Sequence, residues 1–407
     1  MKTKPFSALR PNREIVSRLA SVPYDVVDTA EARELAKDNP ASFLHVSRPE
    51  IDLPEGTDIY SDEVYAQASK ALGNLISNGN LFRDAEPAYY AYRQIMGKHA
   101  QIGIVTCCHI DDYGNDIIRK HEKTRQDKED DRTRHVLTLN ANTGPVFLTY
   151  RDEASIDALV AAATATAPLY DFTAPDGIQH TVWKFAAADN ARIQALFDAV
   201  PVAYVADGHH RAKAAFRAGA ERRAANPAHT GDEEYNWFLA VVFPASQLAI
   251  LPYNRCVRDL NGNSQEEFLQ KVKTVFAVTE NAADTPGSSR QVSMYLGGKW
   301  YGLSWPAFEA DPVSSLDVSV LQDRLLAPVL GIGDPRTDKR ISFIGGIRGT
   351  AELAKRVDSG RDTVAFSMAP VTVAQMKAIA DAGQIMPPKS TWFEPKLRSG
   401  LLIHEIA

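Results

Sequence analysis

Apolar positions recur along this chain at two spacings, one helical and one alternating. In SDEVYAQASKALGNLISNG, Val64, Ala68, Ala71, Leu72, Leu75 and Ile76 share one stripe of a helix that Gly79 closes. AYYAYRQIMGKHAQIGIVTCCHID alternates aromatic and β-branched residues on both sides of Gly97, the pattern of a hairpin. Ahead of both, Pro23 and Tyr24 start an extended piece, and Thr29 is the expected N-cap of a helix holding Glu31 to Lys37. Helices are predicted at EASIDALVAAATATA, NARIQALFDAV and RAKAAFRAGAERRAA, with strands at HTVWKF and VAYVA among them. NWFLAVVF and LAILPY each read as a strand. Beyond them come helix 264–276, strands near 292–305, helix 315–329, strand ISFIGG, helix 350–357, strand TVAFSM and helix 372–382. Hairpins mixed with strand–helix alternation predict an α+β, mixed α/β architecture. Three regions are expected: 1–150 with the hairpin and a charged segment, 151–260 as the core, and 261–407 as a C-terminal α+β region completing a site.

Composition narrows the class. The 407 residues suggest two or three structural units. Hydrophobic residues make up 44% and charged residues 24%, which suits a globular protein and not a disordered one. A net charge of −6 argues against nucleic acid as the main partner, since phosphate neutralisation calls for basic surfaces. Cys107, Cys108 and Cys256 cannot form a disulfide framework and lack CxxC spacing, so they read as small core residues in a reducing compartment. No apolar window of about 20 residues is present, and the N-terminus lacks a signal-like apolar stretch; a cytoplasmic protein without a membrane partner is expected.

The candidate chemistry sits in two segments. YVADGHHR is a strand, a glycine turn and a helix start. Asp207 ends the strand, and Gly208 permits a tight or positive-φ turn. His209, His210 and Arg211 fall on the first helical turn, where free backbone N–H groups and the helix dipole favour an anion. Arg211 can fork two phosphate oxygens. Adjacent histidines diverge and rarely reach one metal ion together, so a phosphate cradle is favoured over a metal site. The bland alternative is Asp207 as an N-cap with both histidines facing solvent.

The second segment, RKHEKTRQDKEDDRTRH, is bounded on both sides by apolar elements, so its charges are held in place. Arg119, Lys123 and Arg132 are spaced to serve an anion, while His121 and Glu122 offer an acid–base pair. Further cations lie in DPRTDKRISFIGGIRG (Arg336, Lys339, Arg340, Arg348) and in MPPKSTWFEPKLRSG (Lys389, Lys396, Arg398). Three prolines mark the latter as rigid, and its Trp392 and Phe393 pack a core or stack on a base. Tyr24 and Asp25 add polar contacts. P-loop, GxGxxG, HExxH and GxSxG motifs are missing.

VPYDVV, the RKHEKT run, ADGHHRAKAA, FIGG and STWFEPKLRSGL together resemble the family catalogued as domain of unknown function 1015, over nearly the whole chain. ADGHHR also looks like the phosphate-binding turn of the ParB/sulfiredoxin-like superfamily, some of whose members phosphorylate free L-serine. The resemblance implies a ParB/sulfiredoxin-like nucleotide-binding core inside a larger mixed-sheet body, and an ATP- and Mg²⁺-dependent free L-serine kinase. Under it, Gly208, His210 and Arg211, with Lys123, Arg119, Arg132, Arg340, Lys389 and Lys396, would bind nucleotide or substrate. Asp207 would hold Mg²⁺ or orient the nucleophile, and Glu122 with His121 and His209 would do the acid–base work. Two other readings stay open: a ParB-like nucleotide-binding regulator, and a metal-dependent hydrolase using Asp207, His209, His210 and Glu122. A homodimer is compatible with all of them.

Overall fold

The computed structural model describes residues 1–407. Helices and mixed sheets give a mixed α/β protein divided into two compact units. The first unit comprises 1–248 and 395–407, and the second 249–394. This differs from boundaries at 150/151 and 260/261. The reason lies in strand pairing. Val146–Tyr150 pairs with both Ala203–Asp207 and Trp237–Pro244, so residues on either side of the expected 150/151 boundary share one sheet.

That sheet has nine strands. Its path runs Ile118–Arg119, Ala203–Asp207, Val146–Tyr150, Trp237–Pro244, His99–His109, Tyr90–Met96, Gln179–Lys184, Tyr170–Thr173, with Thr3–Lys4 added against His99–His109. Two pairings are parallel: Ala203–Asp207 with Ile118–Arg119, and Trp237–Pro244 with Val146–Tyr150. The hairpin around Gly97 forms as predicted, with Met96 opposite His99. Cys107 and Cys108 are both fully buried in the long second strand although alternation turns them to opposite faces, so both faces of the sheet are covered there. Cys108 joins Ile104, Leu148, Val205, Phe197 and Phe238 in the main apolar core.

The second unit holds an antiparallel six-stranded sheet, ordered Ala277–Glu280, Lys299–Ser304, Gln291–Leu296, Val364–Met368, Tyr253–Val257, Ile341–Gly345. LAILPY, read as one strand, is split by Pro252, which lacks a ladder N–H. Ala249–Leu251 instead pairs with Trp392–Glu394 in a two-stranded ribbon, while Tyr253–Val257 joins the sheet. The helix expected at 315–329 is a short α-turn, Asp317–Leu321, running into a π-helical turn, Gln322–Leu326. Near the N-terminus, Asp28 caps the helix Thr29–Ala36 in a reciprocal box with Glu31, so Thr29 is its first residue and not its cap. No helix is long and apolar enough to cross a membrane.

Candidate functional site

The parallel register that sets Tyr204 beside Arg119 decides what meets at the edge of the first sheet. Both strands run the same way, so the chain leaving Arg119 and the chain leaving Asp207 emerge at the same end. The first becomes the loop through His121 and Glu122, then the helix Gln126–Leu139; the second turns at Gly208 into the helix His209–Ala225. Gly208 has φ +89°, a left-handed conformation open to glycine at little cost. It supplies the N-cap without a side-chain hydrogen bond, so Asp207 does not cap this helix.

Asp207 receives Arg211 Nη2 on Oδ2 at 2.8 Å and Lys396 Nζ on Oδ1 at 3.3 Å. Burial alone would raise its pKa, but Lys396 and Arg211 outweigh burial and hold the carboxyl down to about 2. Both oxygens are thus engaged by cations. Arg211 also donates to the Pro145 carbonyl and folds back over Gly208, where an added Cβ would lie 2.9 Å from its Nε. That Nε is buried without a partner. His210 Nε2 accepts the backbone N–H of Arg125 at 3.1 Å, tying the two helix starts together.

His209 turns inward. Its Nδ1 stands 3.9 Å from Glu122 Oε2, and its ring meets His121 edge-on at 4.5 Å between centroids. Burial pushes His209 down to about 4 and His121 well below the usual imidazole range, so both rings are neutral at pH 7. His121 also bonds to the backbone of Val205, which fixes its ring against the central strand. Glu122 thus stands beside His209, which the sequence carries in a separate segment.

A small cavity of about 40 Å³ adjoins the turn, lined by Tyr24, Arg132, His135, Gly144, Arg211 and Ser399 among others. Arg132 grips Asp131 through two bonds of 2.9 Å, and its guanidinium lies 4.2 Å from the centre of the Tyr24 ring. Tyr65 donates to Asp131 at 2.8 Å from the other side. Asp131, His135, Gly144 and Ser399 escaped the sequence reading. Arg132 and His135 are spaced i, i+3 on one helix, a signal that would have put His135 on the same face.

The remaining predicted residues are placed as follows. Arg119 lies in the edge strand, and Lys123 is exposed on the following loop. Arg340 and Lys389 belong to the second unit. There Arg340 binds Asp338, Asp259 and the Leu330 and Gly331 carbonyls, and Lys389 Nζ sits 5.4 Å from the centre of the Tyr253 ring. Trp392 packs edge-on against Tyr253 and over Gly345, and Phe393 is buried, so both serve the core. Arg398 donates to His180 and Asp176 within the first unit.

The family model described as "Protein of unknown function (DUF1015)" matches residues 3–319. No curated protein matches the chain. Among solved structures, a free serine kinase in complex with AMP is similar at 11% identity and TM-score 0.37, covering 71% of this chain and 86% of its own. SbnI with a C-terminal truncation, from Staphylococcus aureus, gives 12% and 0.40, covering 73% and 86%. A conserved hypothetical protein from Pyrococcus furiosus gives 12% and 0.37, covering 75% and 96%.

Proposed function

The chain belongs to the family described as Protein of unknown function (DUF1015), and we propose that it is a kinase moving the γ-phosphoryl group of ATP to the hydroxyl of free L-serine, giving O-phospho-L-serine and ADP. The observation that carries this reading is the shared edge of the first sheet. An anion-binding helix start and a carboxylate–imidazole pair emerge there side by side. Phosphoryl transfer asks a protein for positioning, charge neutralisation and a base, and these are the parts present.

The residues fit a nucleotide. The first amides of the helix His209–Ala225 have no intrahelical acceptor by position. Arg211 adds a buried Nε without a partner, and Lys396 stands next to it on Asp207. When bound, ATP supplies the phosphoryl group and Mg²⁺ the countercharge. Arg211 and Lys396 neutralise phosphate, with Asp207 holding both cations in place in the role of a positioning residue. Glu122 accepts the proton of the serine hydroxyl, with the buried His121 and His209 rings beside it, and Arg132 receives the amino acid's carboxylate in the cavity beside Tyr24.

The test is incubation of the full chain with ATP, Mg²⁺ and each free amino acid in turn, reading phosphorylated products by mass spectrometry. Phosphoserine is expected, with a fall of about 10²-fold or more in Glu122→Gln, the scale of a lost general base. No phosphorylated product with any amino acid overturns the reading.

A further inference from the structure

His121, Glu122 and His209 each offer a ligand atom, and these atoms all lie within 4.8 Å of one another. Ligand atoms about 2.1 Å from one ion stand about 3 to 4 Å apart, so the trio needs to close by about 1 to 2 Å at most. Two histidines and one carboxylate on one side of a site, leaving further positions open, is a donor set for a transition metal. It is a poor one for Mg²⁺, which prefers oxygen and water.

Two independent observations point to a ligand. His209 is 5% exposed, yet its Nε2 is buried without a partner and its Nδ1 lies beyond hydrogen-bond length from Glu122. An unmet buried polar atom is costly, and such atoms in folded proteins mark bound water or ions. His121, for its part, is bonded to the Val205 backbone, the outer contact that typically orients a metal-ligating imidazole.

We propose that His121, Glu122 and His209 bind one divalent transition-metal ion such as Zn²⁺, Mn²⁺ or Co²⁺. The site rests on the placement of these three side chains and does not depend on the kinase reading. It also differs from a metal held by Asp207 and His210, whose polar atoms face Arg211, Lys396 and the Arg125 amide.

Chelator-treated full-length protein is titrated with Co²⁺, read by visible absorption, and with Zn²⁺, read by calorimetry, without nucleotide or serine. One ion per chain is expected, with affinity reduced tenfold or more in Glu122→Gln and in His209→Gln, and with Mg²⁺ at equal concentration failing to displace it. Circular dichroism checks that each variant folds. No stoichiometric binding, or binding that survives both substitutions, overturns the proposal. Since neither substrate is present, a negative titration leaves the kinase reading standing, and an absence of phosphoserine leaves the titration interpretable.

Discussion

Arg211 ties two pieces of chain together: it pairs with Asp207 and lies against Gly208 within its own turn, and it donates to the Pro145 carbonyl of another segment. Its side chain is only 10% exposed, so the charge acts in a setting where water screens it weakly. Under the proposed function Arg211→Ala removes a phosphate contact, and it leaves Asp207 to Lys396 alone. In a phosphoserine assay, kcat/KM is expected to fall by roughly 10²–10³-fold, the scale of one lost transition-state donor. Arg211→Lys should recover little, because an ammonium cannot reproduce the two-pronged geometry that reaches both Asp207 and Pro145. Unchanged turnover in Arg211→Ala would remove this residue from the site.

At the scale of elements, the helix His209–Ala225 is held against its neighbours by a close approach at Gly219. A Cβ there would lie 2.4 Å from the Tyr235 carbonyl oxygen and 2.6 Å from Ile110 Cδ1. Backbone cannot yield as a long side chain can, so Gly219→Ala is expected to cost about 1–3 kcal/mol by overpacking. Urea denaturation measures that loss, while kcat/KM of the folded fraction should stay within about twofold, since the contact lies two turns beyond the site. The start of this helix was legible in YVADGHHR because the apolar period changes from two to helical across a glycine. What the sequence did not reveal is that His121 meets His209 and that Lys396 meets Asp207. Those contacts follow from the parallel register of two strands and from the return of the C-terminus, neither of which leaves a local periodicity. The cap at Asp28 went to Thr29 for a milder reason: both residues are good caps, and only the box with Glu31 separates them.

Across the whole molecule, buried neutral histidines make the fold sensitive to acid. His180 bonds to Tyr92 Oη through Nδ1 at 2.7 Å and accepts from Arg398 through Nε2 at 3.1 Å. Burial, then Arg398, pushes it from the ordinary 6.5 down to about 3, with Asp176 opposing weakly. Burial, then Arg132, brings His135 to about 3 as well. The unfolded chain therefore binds more protons than the folded one below about pH 6.5, so stability is full above that pH and declines as the pH falls toward 3. The thermal midpoint followed by circular dichroism should drop between pH 7 and pH 5, and less steeply in His180→Gln; a flat profile would contradict this. The second unit is an insertion whose two ends are paired, Ala249 opposite Glu394. Replacing 249–394 with a short Gly/Ser linker is expected to leave residues 1–248 and 395–407 folded with one cooperative transition, and a transition lost or broadened beyond recognition would refute it. The same chain path sets an order in time. Lys396, Arg398, Ser399 and the strand His404–Glu405 follow the second unit in chain order, so they leave the ribosome long after Asp207 and the Ala141–Asn142 strand with which His404–Glu405 pairs. A nascent chain thus carries Asp207 with one cation in place of two until the second unit, 249–394, has been made, so the pairing at Asp207 can be completed only after that insertion has emerged.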